Sequence, residues 1–341
     1  MSGNVIERAR RRGSARPELG VVQGCEGVDR PPGSFSLLPI LLRSTHMSGL
    51  GHRNHRELLV SDLDGTLLRP DATLSAFTVS VINEYIASGG LFTYATARSY
   101  TSAARVTAPL RLRLPVMTYG GVVVVDPLTG QARQAQFLPA ALVEAVFRLT
   151  DCSRRVQPIV YVIREGRDRA CWLADRITPG VANFLRARPG DPRLLPLSNR
   201  NDIGAASVFY VSLIGDRQPL RELFEQLSDT AGGCHFVLAE DIYSPGQWWL
   251  EVTSGTKATA VAALTAEVAA ERVTCFGDQL NDLPMFAVAD AALAVANAAP
   301  EVRAAATQVI GANTDDGVAR WIAETLTTAA PLKSGSRPAV R

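Results

Sequence analysis

The chain has 341 residues, more than a typical single domain, with 47% hydrophobic and 20% charged residues. A formal net charge of +2 does not indicate binding to nucleic acid or an acidic membrane surface, and no apolar run reaches the length of a transmembrane helix. The 5 cysteines form no CxxC pair, which disfavours a disulfide framework or a zinc site and favours a reducing, cytoplasmic location. We therefore expect two domains, or one domain with a large insertion.

Residues 1–54 differ in composition from the rest of the chain. The segment RARRRGSARPELG is basic and polar, and the apolar run FSLLPILL is short and interrupted by a proline. This run lies late and lacks a convincing cleavage motif, which disfavours a secretory signal peptide. We expect a disordered N-terminal arm, or an over-long start for which Met47 is the true initiator.

The segment ELLVSDLDGTLL at residues 57–68 combines an apolar run with two closely spaced carboxylates. Leu58 to Val60 predict a buried strand of a parallel sheet, followed by Asp62, Asp64 and Gly65. Reactive groups in such sheets lie just past the carboxyl ends of strands. One aspartate can act as a nucleophile toward phosphorus and the other as an acid and base, with a divalent cation to offset their charge. A surface turn is the alternative.

The segments that follow alternate between helical and strand patterns. Ser75 is a predicted N-cap, and Gly89-Gly90 ends the helix that it begins. Further elements are predicted as strands at 91–95 and 115–119 and a helix at 102–106. After residue 254, a helix begins near Thr256, and strands at 273–276 and 291–295 and helices at 283–287 and 318–326 follow. This alternation predicts an α/β, doubly wound parallel sheet of the Rossmann-like type.

Between the two alternating α/β segments, at residues 122–252, the sequence pattern mixes hairpins with helices. Strands are predicted at 122–125, 134–138, 159–163, 207–214, 235–238 and 248–252, and helices at 142–149 and 220–227. The stretch 164–202 is rich in Arg, Pro and Gly and gives no assignable pattern. We expect an α+β domain at 122–252, inserted into a core formed by 55–121 and 253–327. A frayed tail at 328–341 completes the predicted organisation.

Polar residues also stand at the predicted ends of other strands and helices. Thr96 closes the second strand, where it can bind a phosphate oxygen or cap the next helix. Lys257 begins a helix, a position that the helix dipole disfavours unless the lysine neutralises a phosphate or carboxylate. Asp278 is placed to ligate a hard cation with Asp62, and one turn later Asn281 can donate to phosphate and Asp282 can brace the site. A solvated lysine and an acidic helix cap are the alternatives.

Taken in order, the DxDGT segment, the strand-end Thr, the helix-start Lys and the GDxxND segment resemble the haloacid dehalogenase (HAD) superfamily. Over residues 56–326 the chain is most similar to its Cof-like phosphatases, which carry a large α+β cap domain. The resemblance implies a HAD-type core in which Asp62 is the nucleophile and Asp64 is the acid and base. It implies Mg²⁺ bound by Asp62, Asp64 (through its carbonyl) and Asp278, with Asp282 in support. The phosphate-binding positions that it implies are Leu63, Thr96, Ala97, Lys257 and Asn281, of which Thr96 and Lys257 are also catalytic.

Two departures from this pattern concern the substrate side. Ala97 stands where the family usually has Gly, and Gly120-Gly121 replaces the usual Asn-Gly at the cap entry, so an amide that often faces the substrate is missing. Candidates within the cap for substrate contact are Arg164, Asp241, Tyr243 and Trp248. Along a strand, Trp248 and Trp249 are expected to point to opposite faces.

The resemblance implies a Mg²⁺-dependent phosphatase that hydrolyses a small phosphorylated metabolite, such as a sugar phosphate, through an aspartyl-phosphate. A phosphomutase of the same architecture and a non-catalytic binding or regulatory protein are the alternatives. Halide removal is disfavoured because Asp64 supplies a proton that dehalogenation does not need. We expect the protein to be a monomer or a homodimer. Its expected binding partner is the small phosphorylated metabolite, and we expect no nucleic acid or membrane partner.

Overall fold

The computed structural model describes residues 56–151, 153, 155–204, 207–230, 232–241 and 244–329. The predictions for residues 1–54, for Tyr243 and for residues 330–341 of the tail lie outside the described residues. The strands are β1 Glu57–Ser61, β2 Leu91–Tyr94, β3 Val116–Thr118, β4 Val123–Val125, β5 Ala132–Ala135, β6 Pro158–Arg164, β7 Arg167–Leu173, β8 Leu194–Leu197, β9 Val208–Gly215, β10 His235–Glu240, β11 Trp248–Thr253, β12 Arg272–Gly277, β13 Ala291–Val295 and β14 Gln308–Ile310. The helices are α1 Ala76–Ala87, α2 Tyr100–Thr107, α3 Ala140–Asp151, α4 Pro179–Arg186, α5 Arg217–Ser228, α6 Lys257–Glu267, α7 Leu283–Ala287, α8 Pro300–Ala305 and α9 Gly317–Ala329.

The first sheet is parallel and has β1 near its centre. Its 5 strands have the order β14-β13-β12-β1-β2, and β1 pairs in parallel with both β12 and β2. Leu58 and Val60 are fully buried and Leu59 nearly so, as expected for a strand covered on both faces. Helices α1 and α9 pack against each other beside this sheet. The predicted α/β fold with a parallel, doubly wound sheet is confirmed.

The second sheet has 6 strands in the order β10-β11-β9-β6-β7-β8. Its strands pair in antiparallel fashion except for β7 and β8, which run parallel. Strand β7, helix α4 and strand β8 fall within the stretch 164–202 that the sequence left unassigned. Strand β7 begins with three charged residues, Arg167, Asp168 and Arg169, and only its second half, Ala170 to Trp172, is apolar and buried. Because of the charged first half, the sequence of β7 shows no clear strand pattern.

A third, small sheet contains β3, β4 and β5 and includes the predicted hairpin. Its second arm lies at Ala132–Ala135, so the predicted strand at 134–138 was placed too late. The reason is in the backbone hydrogen bonds that follow. The Gln136 N–H donates to Val122 O at 3.0 Å, and the Leu138 N–H donates to Val208 O at 2.8 Å, so the chain passes on to the second sheet.

The apolar side chains form two hydrophobic clusters. One contains the interior of the first sheet and reaches one face of the second sheet, and the other lies on the opposite face of the second sheet beneath α3 and α5. Trp249 packs against the first cluster and Trp248 against the second, which confirms the predicted split. Within the described ranges, no helix has both the length and the apolar character needed to cross a membrane.

Candidate active site

The polar residues singled out in the sequence meet at the carboxyl edge of the first sheet. Asp62 follows β1, Thr96 follows β2 shortly after its last residue, and Asp278 follows β12. Because β1 pairs in parallel with both neighbours, these three strand ends lie side by side. The Asp62 N–H donates to Phe276 O at 2.9 Å, which extends the pairing to the site itself.

Lys257, the first residue of α6, is the buried cation at the centre of the site. Its Nζ donates to Asp62 Oδ1 at 2.5 Å and to Asp282 Oδ1 at 2.6 Å, and only 1% of its side chain is exposed. Burial alone would lower the pKa of Lys257, but the two carboxylates raise it above its ordinary value. The two carboxylates therefore favour the ammonium form of Lys257, which fixes Asp62 through Oδ1 and leaves Oδ2 without a hydrogen bond from the described residues.

Asp282 supports the site with both of its carboxylate oxygens. Oδ1 accepts from Lys257, and Oδ2 accepts from the backbone N–H groups of Asp278 at 2.8 Å and Gln279 at 3.0 Å. The turn from Gly277 to Asp282 is so tight that a Cβ on Gly277 would lie 2.6 Å from Asp282 Cβ. With both oxygens engaged, Asp282 is suited to orient Lys257 and the Asp278 loop.

Three buried aspartates come close enough to share a cation. Ligand oxygens of Asp62, Asp278 and Asp282 lie within 4.8 Å of one another. Burial raises the pKa of Asp62 to about 8, although Lys257 opposes the rise, and burial also raises the pKa of Asp278. These carboxylates outnumber the ammonium group that contacts them, so an additional positive charge would stabilise the cluster.

The residues around Asp278 fit a small, hard cation. Thr66 Oγ1 donates to Asp278 Oδ1 at 2.8 Å, and Gln279 Nε2 donates to Oδ2 at 3.1 Å, which orients the carboxylate. Gly65 has a φ of +78°, and a Cβ there would lie 2.3 Å from Asp278 Oδ2. The cluster offers oxygen donors alone, the ligand type that Mg²⁺ prefers. The donor set and the space kept clear by Gly65 therefore suit such an ion.

Asp64 lies outside this cluster and pairs with Arg98. Arg98 Nε donates to Asp64 Oδ2 at 2.7 Å and Nη2 to Oδ1 at 2.6 Å, while Nη1 donates to Ser102 Oγ at 3.1 Å. The Asp64 side chain is 54% exposed, in contrast to the buried Asp62. The side chain of Asp64 is thus held toward solvent by Arg98.

The remaining predicted phosphate-binding positions lie in the chain segments that follow β1, β2 and β12. Thr96 is buried, and its Oγ1 accepts from the Arg98 N–H at 3.1 Å. Leu63 has a buried side chain, so only its backbone is available, whereas Ala97 is exposed. Asn281 is also exposed, on the short 3-10 turn Leu280–Asp282, where no hydrogen bond to a described residue engages it.

Residues that the sequence reasoning missed support the DxDGT turn. Asn297 Nδ2 donates to Gly65 O at 2.8 Å, and its Oδ1 accepts from the Asn313 N–H at 3.0 Å. Asn313 Nδ2 donates in turn to Leu68 O at 2.8 Å. The sequence motifs assigned neither of these amides to this turn. Arg98 likewise had no predicted role.

A cavity of about 640 Å³ opens beside the Thr96 loop and extends to the second sheet. Its lining includes Ala97 and Arg98, next to Thr96, and Trp249 and Glu251 on the second sheet. Arg164, Asp241 and Trp248, which the sequence suggested for substrate contact, do not line it. Arg164 instead donates to Asp202 O, Asp241 accepts from Trp249 Nε1 at 3.2 Å, and Trp248 packs on the other face of the sheet.

Known proteins with similar sequences are hydrolases and phosphatases. The family model for haloacid dehalogenase-like hydrolases matches residues 59–322. An HMP-PP phosphatase of Serratia proteamaculans is 28% identical over 274 residues, which are 78% of this chain and 93% of that protein. A 5-amino-6-(5-phospho-D-ribitylamino)uracil phosphatase of Bacillus subtilis is 26% identical over 279 residues, 78% of this chain and 96% of that protein.

Solved structures share the fold. A Thermotoga maritima crystal structure superposes with a TM-score of 0.64 at 22% identity and covers 79% of this chain and 97% of its own. A haloacid dehalogenase-like hydrolase of Bacteroides thetaiotaomicron gives a TM-score of 0.63 at 20% identity, with 79% and 99% covered. Since the family model spans most of the chain, the protein belongs to the haloacid dehalogenase-like hydrolases, and within them to the Cof-like phosphatases.

Proposed function

We propose that the protein is a Mg²⁺-dependent phosphatase that hydrolyses a small phosphorylated metabolite through an aspartyl-phosphate on Asp62. The observation that carries the proposal is the pairing of Lys257 Nζ with Asp62 Oδ1 at 2.5 Å, which leaves Oδ2 free to attack. The names of the relatives from Serratia proteamaculans and Bacillus subtilis, both phosphatases, support the same reaction class. The proposed organisation is a core of residues 55–121 and 253–327 with a cap at 122–252.

In the first step, Asp62 Oδ2 attacks phosphorus and the bond between phosphorus and the leaving oxygen breaks. Asp64, as a carboxylic acid, gives its proton to that oxygen, so the product leaves as an alcohol. In the second step, Asp64 takes a proton from water as the water attacks phosphorus. The bond between phosphorus and Asp62 then breaks, which returns inorganic phosphate and the free carboxylate.

The charges around Asp62 suit a dianionic substrate. Lys257 offsets the charge of the nucleophile, and the Thr96 hydroxyl and the Ala97 N–H would bind phosphate oxygens. Asp62, Asp278 and the carbonyl of Asp64 would hold Mg²⁺, which when bound supplies positive charge between the carboxylates and the phosphate. Asp282 acts through Lys257 and the Asp278 backbone, as a positioning residue.

The test is phosphate release from p-nitrophenyl phosphate, with and without Mg²⁺, by the parent protein and by Asp62→Asn. We expect Mg²⁺-dependent release that Asp62→Asn abolishes. The matched control is Asp229→Asn, because Asp229 is an exposed aspartate far from the site in sequence, and it should leave the rate unchanged. Equal rates for the parent and Asp62→Asn would exclude Asp62 as the nucleophile.

Asp64→Asn separates the two steps. Since p-nitrophenolate is a good leaving group, its release does not need the proton of Asp64, whereas attack by water does need a base. We therefore expect a burst of one p-nitrophenol per active site, followed by slow turnover and by a protein-bound phosphate that hydroxylamine removes. A variant that turns over slowly without a burst would contradict the covalent mechanism.

A further inference from the structure

A polar face of helix α2 forms part of the lining of the cavity beside the Thr96 loop. Thr101, Ser102 and Arg105 of this helix line the cavity. Residues three and four apart are neighbours on a helix surface, so these side chains share one face. Another part of the lining comes from residues 187–193, between α4 and β8. A ligand in the cavity can therefore contact both the helix that follows β2 and the loop that leads into β8.

The lining carries positive charge that no described carboxylate pairs with. Two of its four arginines already have a carboxylate partner: they are Arg98, paired with Asp64, and Arg193, paired with Asp191. The other two, Arg105 and Arg188, form no salt bridge with a described residue. Glu251 also lines the cavity, and desolvation raises the pKa of its carboxyl group, which favours the uncharged form.

Arg188 is held by aromatic rings instead of by a carboxylate. Its guanidinium carbon lies 4.0 Å from the ring centroid of Phe184 and 6.0 Å from that of Trp249. Among the described residues, only Phe184 O, at 3.1 Å from Nη1, accepts a hydrogen bond from it, so other N–H donors are available to a ligand. A guanidinium that is already oriented loses little freedom on binding, and its planar donors match a carboxylate or a phosphate. Arg188 therefore suits an anionic group.

Arg105 indicates how far such an anion lies from the phosphate site. The proposed phosphate position is beside Thr96, which precedes α2, whereas Arg105 lies in the last turn of that helix. At a rise of about 1.5 Å per residue, Arg105 is about 8 Å along the helix axis from Tyr100, where α2 begins. Arg105 and Arg188 line one cavity of about 640 Å³, a volume typical of sites for small molecules, so one ligand can contact both.

We infer that the leaving group of the substrate carries a second anionic group, a carboxylate or a phosphate, at its end remote from the scissile phosphate, and that Arg188 and Arg105 bind it. This inference rests on the proposed function, since the scissile phosphate is placed at Asp62. The second anion uses arginine charge that the described carboxylates leave unpaired. The hydroxyl groups of Thr101 and Ser102 in the same lining suit a polar connecting chain.

Phosphate esters that differ in the position of a second anion test this inference. Hexyl phosphate has none, ethanediol bisphosphate has one close to the scissile phosphate, and hexanediol bisphosphate and terminally phosphorylated hydroxyhexanoate have one at the far end. We expect kcat/KM for the better of the two long dianionic esters to exceed that for hexyl phosphate and for ethanediol bisphosphate by about tenfold or more, because charge-assisted hydrogen bonds are strong. The better ester identifies the anion as phosphate or carboxylate. Ethanediol bisphosphate matching the long esters would overturn the inference.

Substitution of the two arginines tests their roles. Arg188→Met should bring the ratio of kcat/KM between the better long ester and hexyl phosphate close to one. Arg105→Met should reduce it by a smaller factor, because Arg105 is exposed. A ratio measured within one variant does not depend on the fraction of folded protein. The matched control is Arg113→Met, which removes the same charge from an exposed arginine outside the cavity lining and should leave the ratio unchanged.

Binding of phosphonates separates this inference from the phosphatase mechanism. Hexane bisphosphonate and hexylphosphonate contain P–C bonds that the protein cannot hydrolyse, so calorimetry with Mg²⁺ present reports on binding alone. The bisphosphonate should bind the parent about tenfold more tightly, and Arg188→Met should remove this preference. Equal affinities, or a preference that Arg188→Met leaves intact, overturn the inference even if p-nitrophenyl phosphate is hydrolysed. A preference that Arg188→Met removes, with no hydrolysis of any ester, would instead overturn the proposed function.

Discussion

The substitution Gly65→Ala isolates the contact between the DxDGT turn and the candidate metal ligand Asp278. Gly65 has a φ of +78°, and an added Cβ would lie 2.3 Å from Asp278 Oδ2 and 2.9 Å from its Cγ. A left-handed backbone at a non-glycine residue costs about 1–2 kcal/mol, and overpacking costs about 1–3 kcal/mol. Asp278 cannot swing aside freely, because Thr66 and Gln279 hold its two oxygens. We therefore expect a loss of about 2–5 kcal/mol in the free energy of unfolding.

Gly120→Ala is the matched control, because Gly120 also has a positive φ, +67°, but no atom lies within 4 Å of an added Cβ. It should lose only the backbone contribution of about 1–2 kcal/mol. Urea unfolding of both variants without metal measures the difference. A Mg²⁺ titration of phosphate release should then show a higher half-saturating concentration for Gly65→Ala than for the parent. Equal losses of stability in the two variants, with an unchanged Mg²⁺ titration for Gly65→Ala, would refute the reasoning.

Other substitutions test the charges of the site. Lys257→Met removes a buried cation from between two carboxylates and should cost about 3–5 kcal/mol in metal-free urea unfolding, and a loss below about 1 kcal/mol would contradict the ion-pair assignment. Arg98→Met should change stability by less than about 1 kcal/mol, because Asp64 is half exposed, yet it should slow hydrolysis of an alkyl phosphate more than that of p-nitrophenyl phosphate. Folding raises the pKa of Glu251 above its ordinary value of about 4.3, so the parent loses stability as the pH rises from there through the folded-state pKa. The Tm of Glu251→Gln relative to the parent should therefore increase over that pH range, and a constant difference would exclude a desolvated carboxyl group.

The neighbourhood of the buried carboxylates could be predicted because short-range patterns determine it. A buried apolar run that ends in Asp62 and another that ends in Asp278 are each read within about ten residues of sequence, and the parallel alternation of strands and helices brings such ends to one edge. The prediction that Lys257 lies at the start of a helix also used only nearby residues. What remained open was the partner of each side chain, such as Asp64 with Arg98, because side-chain torsions across a loop leave no periodic signal.

The second sheet was harder to predict because its burial depends on distant partners. Arg193 is a buried arginine next to β8, and the sequence around it reads as a polar loop. It is buried because Asp191 accepts from its Nη2 at 2.5 Å and Nε at 3.0 Å, and because the hydroxyl of Tyr119 accepts from its Nη1. These contacts join segments up to 74 residues apart, so hydrophobic periodicity could not reveal them.

Tyr119 connects the Thr96 loop to the second sheet. Its N–H donates to Arg98 O at 3.0 Å, and the following Gly120 N–H donates to Thr96 O at 2.9 Å, so its backbone holds the proposed phosphate loop. Its side chain is held by Asp168 and Arg193 and packs edge-on against Tyr161. The φ of 52° at Tyr119 is unfavourable for a residue with a Cβ, so these contacts must offset its cost. Because Tyr119 also lines the cavity, a ligand bound there would contact the residue that holds the Thr96 loop.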